Sequence, residues 1–206
     1  MWTELTLYRE DIEEKAESCS MLIERCKNLA SLEILNKLEI WGFDSPLNIM
    51  SVVIRAKDTL KRLEVDKTMA IWTNAEMAKL GQMENLTGLS MAFCSKGDDS
   101  TSPQMLEELA KLYKLEVLNL SIHSFYSSNC SSLRFLKSVF EKLNKLKIVK
   151  IDVPIPEYDE SLVTTLVESN PDLRELHMAK VTMDQVERLN ESLIKYPNLR
   201  IYCQLS

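Results

Sequence analysis

One short aliphatic phrase, L-x-x-L-x-L with related residues replacing some leucines, returns along most of this chain. Its first leucines stand at positions 35, 60, 86, 115, 146, 173 and 199, so successive copies begin 25 to 31 residues apart. A single phrase of this kind arises readily by chance, whereas a near-constant period of this length is typical of a repeat protein. The seventh copy, Leu199-Arg200-Ile201-Tyr202-Cys203-Gln204, is degenerate.

Within each copy, the alternation of aliphatic and other residues predicts a short strand that turns one face toward a core. The segments between copies predict helices, because residues that favour helix starts stand ahead of apolar runs. These start signals are Ser45-Pro46, Ser102-Pro103, the pair Thr73 and Glu76, and the pair Thr182 and Gln185. After the last pair, the residues expected to face the core are Val186, Leu189, Leu193 and Ile194.

The sequence therefore predicts an α/β solenoid of about seven repeats, with a parallel sheet inside and helices outside. Because helices are wider than strands, the stack should curve and the sheet should be concave. We expect residues 1–34 to form an N-terminal helical cap or first partial repeat, with one or two helices between residues 4 and 29. Residues 35–206 should form the solenoid, and the two parts together a single domain.

The turns between helices and strands resemble those of a known repeat class. The segments Ile23–Leu29, Glu168–Leu176 and Lys195–Arg200 are similar to turns in cysteine-containing, ribonuclease-inhibitor-type leucine-rich repeats, as found in F-box leucine-rich-repeat proteins. The resemblance implies protein binding by the repeats, and substrate recognition for an F-box-type ubiquitin ligase. The second interpretation is a regulatory repeat protein, such as an enzyme inhibitor or a GTPase activator.

The sequence departs from that class in two respects. No F-box of roughly 40 residues is visible ahead of the first phrase, so the ligase role is implied by the repeats alone. The polar position three residues after each phrase is also irregular. Along the chain it is occupied by Phe43, Thr68, Cys94, His123, Pro154 and Val181.

Charge and composition limit the classes of partner and the compartments that we expect for this protein. Aspartate and glutamate (31) outnumber lysine and arginine (25), and no basic cluster stands out, so we expect no nucleic-acid binding. No apolar run approaches the length of a membrane span. The five cysteines are scattered and odd in number, which is typical of reduced thiols. Without a signal-peptide pattern at the start, we expect a protein of the cytoplasm or nucleus.

Motifs for chemistry are absent from the sequence. It contains no glycine-rich phosphate loop and no paired cysteine or histidine spacing for a metal. Cys94 and His123 occupy equivalent positions of adjacent repeats, but no carboxylate stands ready to orient the histidine. We therefore expect neither a cofactor nor a metal, and a binding protein rather than an enzyme.

The predicted partner-binding surface is the concave face together with the loops at one edge. Its small residues Gly88, Ser90 and Ala92 should allow close approach, and Trp41 and the loop residues Phe125 and Tyr126 should supply apolar anchors. The candidate residues are Trp41, Glu64, Asp66, Ser90, Asn119, Phe125, Tyr126, Lys150 and His177. Three alternatives stay open: the charges only solubilise the sheet, the loops at 95–101 and 121–132 are tolerated insertions, or Trp41 packs under an N-terminal helix.

Overall fold

A computed structural model describes residues 4–8, 37–41, 50, 53–65, 72–95, 107–124, 132–152 and 160–205. Its strands form one all-parallel sheet in which each strand lies beside the next one along the chain. The strands are β1 Glu4–Tyr8, β2 Lys37–Trp41, β3 Arg62–Val65, β4 Gly88–Ser95, β5 Val117–Ser124, β6 Ile148–Asp152, β7 Glu175–Val181 and β8 Arg200–Leu205. The predicted α/β architecture with a single parallel sheet is confirmed, and this strand order is compatible with a solenoid.

The described helices lie between successive strands, as a parallel sheet requires. They are α1 Asn74–Leu80, α2 Ser132–Lys142, α3 Glu160–Ser169 and α4 Met183–Leu193, with a 3-10 turn at Ile54–Ala56. Both predicted capping boxes are present, one from Thr73 with Glu76 and one from Thr182 with Gln185. Helix α3 contacts both α2 and α4, so the helices of neighbouring units pack side by side.

Aliphatic residues occupy one shared register position in each described strand of the sheet. In chain order these are Leu5, Leu38, Leu63, Leu89, Leu118, Val149, Leu176 and Ile201. From Leu63 to Leu176 they are no more than 2% exposed, and they belong to one cluster with the inward residues of the helices. The phrase read from the sequence is therefore the unit that builds both the sheet and the core.

Backbone hydrogen bonds join each unit to the next just before the strands begin. The carbonyl oxygen of Thr87 accepts the N–H groups of Glu116 and Val117 at 2.8 and 3.0 Å. The carbonyl oxygen of Glu116 in turn accepts those of Lys147 and Ile148 at 2.7 and 3.1 Å. Since these polar groups find partners in the neighbouring unit, the repeats stack without leaving them unsatisfied.

The side chain of buried Asn170 replaces one backbone hydrogen bond in the turns that precede the strands. In the turns of neighbouring units, the N–H of the leading leucine bonds to a carbonyl three residues earlier, as Leu115 does to Leu112 at 3.0 Å. The N–H of Leu146 instead donates to Oδ1 of Asn170, one unit further along, at 2.8 Å. Nδ2 of Asn170 donates to the carbonyl of Leu166 at 2.9 Å, and the side chain is buried. The side-chain amide of Asn170 thus bonds both to the turn before β6 and to the end of helix α3 in the next unit.

The expectation of a helix from residue 4 is wrong, whereas the expectation of a first partial repeat at the N-terminus stays a prediction. Glu4–Tyr8 is a strand, paired in parallel with β2, where a helix was expected. Its sequence context, Trp2-Thr3-Glu4-Leu5-Thr6-Leu7, is the same phrase with tryptophan at the leading position. Among the described residues the sheet therefore has eight strands, one more than the seven phrases identified. The remainder of the expected cap, residues 9–34, lies outside the described residues.

The register predicted for the seventh copy is also wrong. The sequence pattern aligns Tyr202 with Leu176, but the structure pairs Ile201 with Leu176 and Cys203 with Met178. The last unit is one residue shorter between its turn and its strand. Tyr202 therefore lies on the polar side of the sheet, while Ile201 and Cys203 pack against the core.

One helix residue expected in the core is exposed. Ile194 has 83% of its surface accessible. Helix α4 ends at Leu193, and Ile194 is its C-terminal capping residue. The inward face of the helix therefore ends one residue earlier than the apolar pattern indicates.

The burial pattern of β5 predicts unequal costs for two adjacent substitutions. Leu118 is fully buried, so Leu118→Ala should lower the free energy of unfolding by about 2–5 kcal/mol. Asn119 is half-buried and donates one hydrogen bond to Ser90, so Asn119→Ala should cost about 0.5–1.5 kcal/mol. Urea unfolding followed by circular dichroism measures both, and the reverse ranking would contradict the register.

The Asn170 amide predicts a second asymmetry. Asn170→Leu keeps the side-chain volume but leaves the N–H of Leu146 and the carbonyl of Leu166 without that partner. Each unsatisfied buried group should cost about 1–3 kcal/mol. The same change at exposed Asn198 is the matched control and should stay within about 0.5 kcal/mol of the unchanged protein. Equal unfolding midpoints for the two variants would show that the asparagine bridge contributes nothing.

Candidate functional site

The side chains that alternate with the core leucines form a polar row across the middle of the opposite face of the sheet. The strand pairings place these residues in line, one per strand, and we call them the middle row. Its members from β3 to β8 are Glu64, Ser90, Asn119, Lys150, His177 and Tyr202. Adjacent strands lie about 4.8 Å apart, so the row offers a hydrogen-bonding side chain at each such step.

Five of the nine predicted site residues are consecutive members of the middle row, from Glu64 to His177. Trp41 lies at the end of β2, in register with Tyr8 of β1. Asp66, Phe125 and Tyr126 lie outside the described residues, as do most residues of the two long loops. The structure therefore brings the strand candidates together and leaves the loop candidates untested.

A shallow depression of about 360 Å³ lies over the C-terminal half of the row. Its polar lining combines an amide, a hydroxyl, an ammonium, a carboxylate, an imidazole and a phenol. The lining residues are Asn119, Ser121, Lys150, Ile151, Asp152, His177, Met178, Ala179, Tyr202, Cys203 and Gln204. Donors and acceptors of both charge signs thus surround one concave surface.

His177 is held from two sides within this depression. Its ring stacks on that of Tyr202, with centroids 4.4 Å apart and planes inclined by 14°. Its Nε2 lies 3.2 Å from Oε2 of Glu175, two residues earlier on the same strand. The stack exists because the shortened last unit places Tyr202 directly opposite His177. Sequence analysis missed Tyr202, since the pattern assigned it to the core.

The two row members before His177 differ in how tightly they are held. Nδ2 of Asn119 donates to Oγ of Ser90 at 3.0 Å, and both side chains are half-buried. Lys150 is exposed, between half-buried Asn119 and His177 on its two neighbouring strands. The row therefore presents an exposed ammonium group between two half-buried polar side chains.

The expectation of an open floor made of small residues needs correction. Gly88 is buried, and a Cβ at its position would lie 3.1 Å from Nε of Arg62 on the adjacent strand. The arginine side chain therefore covers the glycine, and the exposed group at this point is Arg62. Ala92 is 3% exposed, although it was expected on the accessible surface, and Ser121 beside it on β5 is equally buried. The carbonyl of Ala92 accepts the indole N–H of buried Trp72 at 2.9 Å.

The thiol at the rim of the depression is poorly suited to nucleophilic chemistry. Burial raises the pKa of the Cys203 thiol, because the charged thiolate loses solvation. Cys203 is a free cysteine. Among the described residues, no cluster of three or more histidine, cysteine or acidic side chains could hold a metal ion. Cys94 and His123 are in register on β4 and β5, as predicted.

A second depression, of about 510 Å³, lies where β7 and β8 begin. It is lined by Pro171, Asp172, Leu173, Arg174, Glu175, Asn198 and Arg200. Two arginines and two acidic residues share this surface, so it carries no net preference for either charge. It contains no member of the middle row.

No protein-family model matches this chain, and no curated protein matches it significantly. In the part of the chain that the structure describes, no helical segment has both the length and the apolar character that a membrane crossing needs.

The raised pKa of Cys203 predicts slow alkylation in the native protein. At a pH near the ordinary thiol pKa, iodoacetamide should modify Cys203 more slowly in the folded protein than in urea. The rates should converge as the pH rises through the folded pKa. The raised pKa also links the stability of the fold to pH. The contribution of Cys203 to the free energy of unfolding is complete below the pKa of the unfolded state, and it is lost as the pH rises through the pKa of the folded state. Peptide mapping by mass spectrometry follows the residue, and equal rates at every pH would refute the effect of burial.

Proposed function

We propose that this protein is a leucine-rich-repeat solenoid whose concave sheet face binds another protein. Eight in-register parallel strands, each followed along the chain by the next, support the solenoid assignment. The repeat of the aliphatic phrase at the same register position supports the leucine-rich class. Curvature toward the sheet side follows from the greater width of helices, which would make the polar face concave.

The observation that carries the binding proposal is the middle row. Its side chains stand in line on one face, they combine hydroxyl, amide and charged groups, and the face is free of the described helices. A row of this kind can bond to a polypeptide that crosses several strands. The depression below Lys150 and His177 would accept its side chains, and the stacked His177 and Tyr202 rings would provide a rigid aromatic contact.

Binding is favoured over catalysis by the state of the groups that could react. Partial burial raises the pKa of Cys203, the thiol that borders the depression, and so disfavours the reactive thiolate. Its position in register with Met178 makes it part of the core side of the sheet. The polar lining therefore supports recognition by hydrogen bonds and charge.

For the biological role, we propose substrate recognition for an F-box-type ubiquitin ligase, in the cytoplasm or nucleus. The resemblance of the turns around Asn170 and Asn198 to F-box leucine-rich repeats supports this class. The free thiol of Cys203 is compatible with a reducing compartment. Regulatory repeat proteins use similar surfaces, so binding of a partner does not distinguish the two roles. Ubiquitination of the bound partner does.

A charge reversal within the depression tests the surface. Lys150→Glu should reduce recovery of partners from cell lysate about tenfold or more, because a central cation is replaced by an anion. Lys142→Glu, at an exposed position at the end of α2, makes the same charge change away from the polar face and should leave recovery unchanged. Both variants must first show unchanged thermal unfolding.

Loss of partners in the Lys142→Glu variant alone would place binding on the helices and refute the proposal. For the ligase role, the captured partner should carry less ubiquitin in cells that express Lys150→Glu than in cells that express Lys142→Glu. Unchanged ubiquitination with lost binding would favour the regulatory role instead.

A further inference from the structure

Two aliphatic side chains lie on the polar face of the sheet rather than in the core. Val117 of β5 and Ile148 of β6 are in register, and they lie two residues before Asn119 and Lys150 of the middle row. Both are half-buried, and neither belongs to the core cluster or to the partly buried residues that pack against it. We call this pair the aliphatic ledge. Strands β5 and β6 each lie between two described strands, so the accessible part of the ledge faces away from the sheet.

Exposed cations border the aliphatic ledge on two sides. Val117 is in register with Gly88, and the side chain of Arg62 covers that glycine. Ile148 lies two residues before Lys150 on the same face of β6, so their Cα atoms are about 6.6 Å apart. Arg62 and Lys150 are both exposed. The ledge is thus an apolar surface with a guanidinium group on one side and an ammonium group on another.

The carboxylates of the polar face are less accessible than its cations. Of the lysine, arginine, aspartate and glutamate side chains described on this face from β3 to β8, the exposed ones are Arg62, Lys150 and Arg200. The half-buried ones are Glu64, Asp152 and Glu175. Oε2 of Glu175, the neighbour of Ile148 on β7, also lies 3.2 Å from Nε2 of His177. A partner that approaches this face therefore meets positive charge first, although acidic residues outnumber basic ones by 31 to 25 in the whole chain.

We propose that the polar face binds an acidic segment of a protein partner, with an apolar side chain of that segment on the aliphatic ledge and a carboxylate at Lys150. This inference rests on the proposed function, because it names the chemistry of the partner that the same face would bind. Contact with the ledge would remove the apolar surface of Val117 and Ile148 from water. The carboxylate would meet an exposed ammonium group, and opposite charges across an interface add specificity and speed association.

The geometry of the face sets the spacing of the two groups in the partner. Side chains two residues apart in an extended segment are separated by about 6.6 Å, which matches the separation of Ile148 and Lys150 along β6. Side chains three or four residues apart on a helix are separated by about 5–6 Å and can make the same two contacts. The acidic residue should therefore stand about two to four positions from the apolar one. A basic segment would place its cations against Arg62 and Lys150, and such like-charge contacts disfavour binding.

Selection from a random library of short displayed peptides tests the partner chemistry. Peptides that bind the full, folded chain should be enriched in aspartate and glutamate about threefold or more over the library, with an apolar residue at the spacing given above. The affinity of the selected peptides for the wild type is measured by fluorescence anisotropy. It should fall as the concentration of sodium chloride rises, because salt screens the attraction between exposed charges.

Two variants assign the contacts to the face. Lys150→Gln removes the charge and keeps a polar side chain, and it should weaken binding of the selected peptides about fivefold or more. Val117→Thr combined with Ile148→Thr keeps branched side chains that suit a strand but removes apolar surface, and it should weaken binding by about as much. The matched controls are Lys142→Gln, at an exposed lysine of α2, and Val186→Thr, at a half-buried valine of α4. Neither control should change the affinity.

Each variant must first show the unfolding midpoint of the wild type. If the double variant of the ledge does not fold, Val117→Thr alone replaces it, because threonine has nearly the shape of valine. Selected peptides that are neutral or basic would overturn the acidic partner, and if the ledge variant still lost them, binding by the polar face would stand. Binding that is unchanged in both Lys150→Gln and the ledge variant would place the site elsewhere and overturn this inference and the proposed function together.

Two further outcomes would overturn this inference alone. A library that yields no binder would refute a short acidic segment, and the lysate comparison of Lys150→Glu with Lys142→Glu would still decide whether the face binds a protein. A wild-type mass of twice 23.7 kDa in sedimentation velocity, lost in the ledge variant, would show that a second copy of this chain covers the ledge instead.

Discussion

The in-register pairing of parallel strands around one line of aliphatic side chains is the constraint on which the structure depends. Leu63, Leu89 and Leu118 share a register position and are almost completely buried. Because successive side chains of a strand point to opposite faces, a slip of one residue would move polar groups such as Asn119 into the core. Burial of the aliphatic line therefore also fixes the alignment of the polar residues on the other face.

Small departures from the repeat are accommodated by local interactions, and they produce the features most relevant to function. The N–H of Leu146 bonds to the side-chain amide of Asn170 in the next unit, where the equivalent turns use a carbonyl of their own. The last unit is one residue shorter, which keeps Ile201 in the core line and brings Tyr202 onto His177. Without that shortening, tyrosine would have to enter the core. The depression therefore owes its aromatic side to an irregularity rather than to the repeat.

The surface proposed for binding arises from the stacking of the strands. An internal strand is covered on both sides, so only its polar face can meet a partner, and this face carries the middle row. Tyr202 of β8 continues that row beside His177.

The sequence alone determined the repeat, the strand positions from Lys37 to Val181, both capping boxes and the sharing of one face by Glu64 through His177. These features depend on local periodicity and fixed spacing, which can be read without a third dimension. Tertiary structure alone decided that residues 4–8 form a strand, because a tryptophan leads that phrase and only pairing with β2 identifies it. It also decided that Tyr202 lies on the polar face, that the side chain of Arg62 covers Gly88 and that Ser121 is buried. Each of these results from contacts between neighbouring units, whose register and packing are set by the whole stack.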